Sequence, residues 1–250
     1  MGAVAIIPAR LGSTRLPGKV LLDRTGKPLI QHVWEAARRA SVSRVVIATD
    51  DRRVHDVAKG FGAEAVLTGE HPNGTSRLSE AARLLRLEAN QIIVNVQGDE
   101  PEVEPEAIDA AVGMLDRDPE SGREFSIGTV AVPFAPGEDA GDPNCVKVVR
   151  AWDGRALYFS RAAIPFDRDG RGGPDAARLR HVGLYAYRRE FLERYVALAP
   201  TPLERAEQLE QLRALEHGYA IGVAIRPSAR IGIDTEEQYR AFVERFSRSS

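Results

Sequence analysis

AVAIIPARLGSTRLPGKVL, residues 3–21, decides how the chain is read. Its first seven residues are continuously apolar, as in a strand buried on both faces, and a polar, glycine-containing loop ends the run. PLIQHVWEAARRA (28–40) then carries a helical period, RVVIATD (44–50) is strand-like again and RRVHDVAKGFG (52–62) returns to the helix. AEAVLTG (63–69), SRLSEAARLLRLE (76–88), QIIVNVQGD (91–99) and PEAIDAAVGMLDRD (105–118) continue the exchange of period. Strands and helices alternating at this spacing predict βαβ units and a parallel sheet, a doubly wound nucleotide-binding architecture.

After residue 124 the alternation stops. FSIGTVAVPF (125–134), CVKVVRAW (145–152) and RALYFS (155–160) read as strands, and Asp153-Gly154 between the last two is a hairpin signal. A smaller antiparallel region over about 124–180 is therefore predicted within a single domain spanning 1–250, and the glycine- and charge-rich segment 167–180 is expected to be mobile. HVGLYAYRR (181–189) leads to a helix over 201–218, with Thr201, Pro202 and Glu204 as its capping-box start and Gly218 as its stop. IGVAIR (221–226) and DTEEQYRAFVERF (234–246) close the domain.

Composition narrows the function classes. In 250 residues with a net charge of -2 there is no dense basic run to serve as a nucleic-acid footprint and no 18-residue apolar tract to cross a membrane. Residues 1–9 lack the basic start of a signal peptide, so a cytoplasmic protein is expected. The one cysteine, Cys145, can form no internal disulfide, and the sequon Asn73-Gly74-Thr75 is then accidental.

The loop after the first strand holds Arg10, Ser13, Arg15 and Lys19 around Gly12 and Gly18, three cations in ten residues. It is not a Walker A loop: five residues rather than four separate the glycines, Lys19 is followed by Val20 instead of Ser or Thr, and Pro17 removes an N–H. Nor does it carry a dinucleotide fingerprint. At the carboxyl end of a strand it reads either as a solvated connection or as a triphosphate clamp with Arg10 and Lys19 as its charges.

These residues resemble a known family. IIPARLGSTRLPGK (6–19) looks like the signature loop of the sugar-activating cytidylyltransferases, and the chain is similar almost end to end to the 3-deoxy-D-manno-octulosonate (KDO) cytidylyltransferase family. The likeness runs through NGTSRL (73–78), IIVNVQGDEP (92–101), NCVKVV (144–149), ALYFSRAAIPFDRD (156–169), LRHVGLYAYRREFL (179–192), TPLERAEQLEQLRAL (201–215) and GIDT (232–235). It implies a Rossmann-like, doubly wound mixed α/β sheet of the nucleotide-diphospho-sugar transferase type, CTP and KDO as substrates, Mg²⁺ as cofactor and a homodimer built on the added antiparallel region. Related CTP-dependent synthetases acting on sialic acid or 8-amino-KDO, and a silent nucleotide-binding regulator, are the competing readings.

Asp99, just beyond a buried strand, reads alone as a turn former or a metal ligand. Asp234, with Glu237 three residues on, reads as a helix cap. The resemblance implies that both Asp99 and Asp234 hold Mg²⁺ and that Lys19 joins them in catalysis. Asn73-Gly74 reads as a turn and Thr75 as a cap; the resemblance makes Ala9, Arg10, Ser13, Lys19, Gly74, Thr75, Arg77 and Gln97 the CTP-binding set. Ser76 stands where relatives commonly have Glu. For the acidic sugar the resemblance implies Arg15, Gln97, Arg161, His181, Tyr185, Glu210 and Gln211. On their own residues, Arg161 reads equally as a surface pair, His181 as a satisfied strand residue and Glu210 with Gln211 as a solvated helix face.

Overall fold

The computed structural model describes residues 2–13, 15–116, 124–135, 137–169, 171–172, 178–227, 229–230 and 232–249. In chain order the elements are β1 (Ala3–Ala9), α1 (Leu29–Ala37), β2 (Val42–Thr49), α2 (Arg52–Gly60), β3 (Glu64–Leu67), α3 (Gly74–Leu84), β4 (Ile92–Asn95), α4 (Pro105–Gly113), β5 (Ile127–Pro133), β6 (Lys147–Arg150), β7 (Ala156–Ser160), β8 (Leu179–Arg188), α5 (Arg189–Ala197), α6 (Pro202–Glu207), α7 (Gln211–Glu216), β9 (Ile221–Ile225) and α8 (Glu236–Ser249). The chain divides into two units, Met1–Asp109 with Arg230–Ser250, and Ala110–Ala229.

In the first unit four strands form a parallel sheet in the order β3-β2-β1-β4. The chain builds outward from β1 to β3 and then returns to add β4 on the other side of β1. That reversal is the topological switch point at which ligands of such sheets bind, outside the carboxyl ends of the strands. Burial follows the continuous apolar runs: every residue from Ala3 to Ile7 is buried, as are Val45 to Ala48 and Ile93 to Val94. The helices pack where βαβ connectivity predicts, α1 on β1 and β2, α2 on β2 and β3, α3 on β1 and β4. Asp51 caps α2 by accepting from the N–H groups of Arg53 and Val54. Asn73, not Thr75, caps α3: its side chain accepts from the Ser76 N–H at 2.8 Å, while Thr75 is buried inside the first turn.

The second unit is a mixed sheet: β5 runs antiparallel to β8 and parallel to β9, and β6 pairs antiparallel with both β7 and β8. The hairpin signal at Asp153-Gly154 corresponds to the β6–β7 turn, where Gly154 takes φ +87° and its N–H bonds the Ala151 carbonyl at 3.0 Å. The helix expected over 201–218 is two helices. Its start is as expected, the Glu204 carboxylate accepting from the Thr201 N–H at 3.2 Å, but Gln208 adopts φ 54°, ψ 49° and breaks the run. Of the segment 167–180, expected to be mobile, residues 170 and 173–177 lie outside the described residues. Among the described residues no helix is long and apolar enough to cross a membrane.

Candidate active site

At the switch point of the first unit a cavity of about 390 Å³ opens beneath the loop that follows β1. Two features of the sequence shape that loop. Gly18 takes φ +67°, a left-handed conformation that costs glycine little, and turns the chain into the 3-10 turn beginning at Lys19. Leu16 is buried in an apolar cluster with Leu29, Ile233, Tyr239 and Phe242. One cluster thus anchors both the loop and the approach to α8, so Lys19 and Asp234 are delivered to the same place from positions 215 residues apart.

Lys19 is the hub. Its ammonium, on a residue only 9% exposed, donates to Asp99 Oδ2 at 2.5 Å, to Asp234 Oδ1 at 2.9 Å and to the Ile233 carbonyl at 3.0 Å. Burial alone would depress its pKa, but Asp99 and then Asp234 outweigh that penalty and hold it above the usual lysine value. Arg15, from the exposed side of the loop, pairs with the other Asp234 oxygen at 2.8 Å. The Ile233 N–H bonds the Asp99 carbonyl at 2.8 Å, which ties the two acidic segments together.

Asp234 is not a cap. The start of α8 is held by Thr235 and Gln238: the Thr235 hydroxyl accepts from the Gln238 N–H, and Gln238 Oε1 accepts from the N–H groups of both Asp234 and Thr235. The expected pairing of Asp234 with Glu237 is therefore corrected by one residue, and the Asp234 carboxylate is left to face the cavity. Sequence reasoning could have found this, because Thr-x-x-Gln is as good a capping box as Asp-x-x-Glu.

The opposite wall is built by close backbone approach. A Cβ on Gly98 would lie 2.7 Å from the Pro8 carbonyl oxygen, so only glycine lets the loop after β4 lie against the end of β1. Ala9, Arg10, Ser13, Arg15, Lys19, Gly74, Arg77, Gln97, Asp99 and Asp234, all proposed from sequence, line the cavity. Thr75 does not line it. Arg77 is 2% exposed and its guanidinium is committed to Asp50 at 2.7 Å, Thr68 at 2.7 Å and the Gly69 carbonyl at 3.4 Å, so it braces the wall rather than reaching inward. Sequence reading missed His71, a lining residue whose Nε2 lies 2.5 Å from Glu80 Oε2; Glu80 also accepts the Gly69 N–H. A histidine beside glycine-rich sequence was the available signal, but its partner nine residues on was not legible.

The donor set suits a hard divalent cation. Asp99 and Asp234 converge closely enough to share one ammonium, and among the described residues no group of three or more His, Cys, Asp or Glu side chains could hold a metal. Two carboxylates that leave most coordination positions to water and phosphate oxygens match the habit of Mg²⁺ rather than of Ca²⁺ or Zn²⁺.

The remaining sequence candidates lie in the second unit. His181 is buried against Phe159 and Tyr185, its Nε2 2.9 Å from the Thr129 hydroxyl. That hydroxyl's single proton goes to the Leu184 carbonyl at 2.6 Å, so His181 Nε2 is the donor to Thr129. Burial pushes the His181 pKa down to about 3, and the ring is neutral at physiological pH. Among the described residues the Arg161 guanidinium takes carbonyl partners rather than the surface ion pair that its sequence allowed. It donates to the carbonyls of Glu207 at 2.7 Å, Pro143 at 2.8 Å and Gln208 at 3.4 Å. Gln211, at the start of α7, is buried rather than solvated, while the Glu210 carbonyl takes the Tyr195 hydroxyl at 2.6 Å.

The cytidylyltransferase family profile matches residues 4–225. The 3-deoxy-manno-octulosonate cytidylyltransferase of Syntrophobacter fumaroxidans is 50% identical over 245 residues, covering 97% of this chain and 96% of its own. That of Chromohalobacter salexigens is 51% identical over 240 residues, with 93% and 92% covered. Among solved structures, a CMP:2-keto-3-deoxy-manno-octonic acid synthetase complexed with CTP superposes with a TM-score of 0.90 at 39% identity, over all of both chains.

Proposed function

The chain belongs to the cytidylyltransferase family, and we infer that it transfers CMP from CTP to 3-deoxy-D-manno-octulosonate, releasing pyrophosphate. The observation that carries the reading is the meeting of Lys19, Asp99 and Asp234 in one cavity under a cationic loop, in a chain about half identical to relatives of that activity along nearly its whole length.

The reaction is an in-line displacement at the α-phosphorus by the sugar's anomeric hydroxyl. No covalent enzyme intermediate is needed, so the protein's work is alignment and charge neutralisation. Arg10, Ser13 and Lys19 of the loop hold the triphosphate when it binds, Lys19 serving the β- and γ-phosphates. Ala9, Gly74 and Gln97 border the base and α-phosphate, and Arg77 with Thr75 keeps that wall in place. Asp99 and Asp234 would hold Mg²⁺, which supplies Lewis-acid neutralisation of phosphate charge and lowers the pKa of a bound hydroxyl. Arg15 is the cavity's cation for the sugar carboxylate. In this reading Arg161, His181, Tyr185, Glu210 and Gln211 serve the sugar hydroxyls, with neutral His181 as a hydrogen-bonding group rather than a charge.

The same reading makes the protein a cytoplasmic homodimer that feeds lipopolysaccharide synthesis, with residues 1–250 acting as one catalytic domain. Large apolar side chains left in water by the second unit support the dimer: Trp152 is 94% exposed, Phe166 82% and Leu157 55%.

Pyrophosphate release from CTP, measured with KDO, 8-amino-KDO and sialic acid, with and without Mg²⁺, tests the assignment. KDO-dependent, Mg²⁺-dependent release is expected. Release with another of these sugars in preference to KDO would reassign the substrate, and no release with any would withdraw the enzyme.

A further inference from the structure

Lys19 makes bonds that its assigned role does not require. A lysine that only held phosphate would point at the cavity with its donors available. Here all three donors of the ammonium are spent on the acidic side, on Asp99, Asp234 and the Ile233 carbonyl. Asp234 is doubly engaged, Oδ1 by Lys19 and Oδ2 by Arg15, both cations coming from the same loop. The two groups assigned above to the divalent cation are thus bridged by an ammonium, and one of them is paired again by a guanidinium.

The two arrangements compete. A lone pair that accepts from Lys19 is not available to a metal, and an ammonium within 3 Å of both carboxylates would repel a dication placed there. Lys19 can change partners without unfolding its surroundings. Its backbone is fixed by the turn after Gly18 and by Leu16 in the apolar cluster, while four side-chain torsions let the ammonium swing from carboxylates to phosphate. A triphosphate beside the loop would offer it a denser negative charge.

We propose that Lys19 is a built-in competitor of the metal, and that the nucleotide admits the metal by drawing Lys19 off Asp99 and Asp234. This inference rests on the reading of Asp99 and Asp234 as metal ligands and deepens it. Without nucleotide the ammonium holds the two carboxylates and metal binds weakly. With CTP bound, Lys19 and the metal exchange roles. Nucleotide and metal then bind with positive coupling, and the coupling is reciprocal: whatever factor CTP adds to metal affinity, metal adds to CTP affinity. The device keeps the site from being loaded with metal before there is a phosphate to transfer.

The test needs neither sugar nor nucleotide. Mn²⁺ is titrated into the full chain, and free Mn²⁺ is followed by its electron paramagnetic resonance signal. The expected result is about tenfold tighter Mn²⁺ binding for Lys19→Met than for the unsubstituted protein, within the usual size of site-to-site coupling. Lys19→Gln, which keeps a donor but no charge, is expected to show the same gain. Asp99→Asn in the Lys19→Met background is expected to remove it. Equal or weaker binding by Lys19→Met, or a gain that survives Asp99→Asn, overturns the proposal. Should Lys19→Met fail to fold, Arg15→Ala decides, because Arg15 is exposed and pairs with the same Asp234: a gain of about two- to threefold, the usual worth of an exposed ion pair, supports competition by loop cations, and no gain overturns it. A protein that activates KDO but shows no gain keeps the proposed function and loses this inference. A protein that shows the gain but activates no sugar does the reverse.

Discussion

Thr235 and Gln238 hold each other across the first turn of α8, the Thr235 hydroxyl accepting from the Gln238 N–H at 3.2 Å and Gln238 Oε1 from the Thr235 N–H at 3.0 Å. Capping and charge are thereby separated between neighbours, Thr235 closing the helix's first turn and Asp234 facing the cavity. Opposite phenotypes follow. Asp234→Asn is expected to lower turnover by roughly a hundredfold or more while costing only about 1 kcal/mol of stability. Thr235→Ala is expected to lose about 1 kcal/mol of stability and much less turnover. Pyrophosphate-release kinetics with urea unfolding of both variants check this, and the reverse pattern would return Asp234 to the role of cap.

The alternation of period made the first unit legible, because continuous apolar strands are what a parallel sheet covered on both faces requires. Lys19, Asp99 and Asp234 were drawn together by the family resemblance, since on their own residues Asp99 read equally as a turn former and Asp234 as a helix cap. What the sequence withheld depends on tertiary contact. The break at Gln208 lies in strongly helical sequence, and the Arg161 guanidinium takes the Glu207 and Gln208 carbonyls on either side of the point where the helix stops. Arg77 was named for the nucleotide, but only the fold shows Asp50 waiting for it. Pairings such as His71 with Glu80 are set by how a loop lies on a helix, and no local pattern encodes that.

Gly98 and Gly12 both line the cavity, yet they are not equivalent. A methyl group at Gly98 meets the Pro8 carbonyl oxygen at 2.7 Å, whereas one at Gly12 meets nothing within 4 Å. Gly98→Ala is expected to cost about 1–3 kcal/mol, since the end of β1 must shift, and to weaken CTP binding with it. Gly12→Ala is expected to be neutral within about 0.5 kcal/mol. Thermal unfolding of the two variants separates them; equal stability would mean that the β1 end and the loop after β4 are not in close contact.

Arg77 and Asp50 form a pair in which the arginine side chain is 3% exposed and the carboxylate 24%. Arg77→Met strands Asp50 and the Thr68 hydroxyl and is expected to destabilise the protein by about 2–3 kcal/mol, toward the low end for a broken buried pair because Asp50 still reaches water. Arg77→Lys is expected to recover little, since an ammonium cannot reproduce the fork that meets Asp50, Thr68 and Gly69 together. Urea midpoints of the two variants report this. A lysine variant as stable as the parent would show that charge alone holds the wall.

His181 gives the fold an acid sensitivity of known sign. Its pKa falls from the ordinary histidine value of 6.5 to about 3 on burial, so between those limits the unfolded chain binds a proton that the folded chain refuses. Its contribution is complete above the unfolded value and is lost as the pH falls toward the folded one. At 1.36 kcal/mol per unit, lowering the pH from about 6.5 to about 5 is expected to cost roughly 2 kcal/mol through this residue. His181→Gln keeps an N–H donor for Thr129 but does not titrate, and it is expected to flatten that part of the curve. Urea unfolding of both proteins across this range makes the comparison. Parallel curves would show that the ring reaches solvent and takes its proton while the protein is folded.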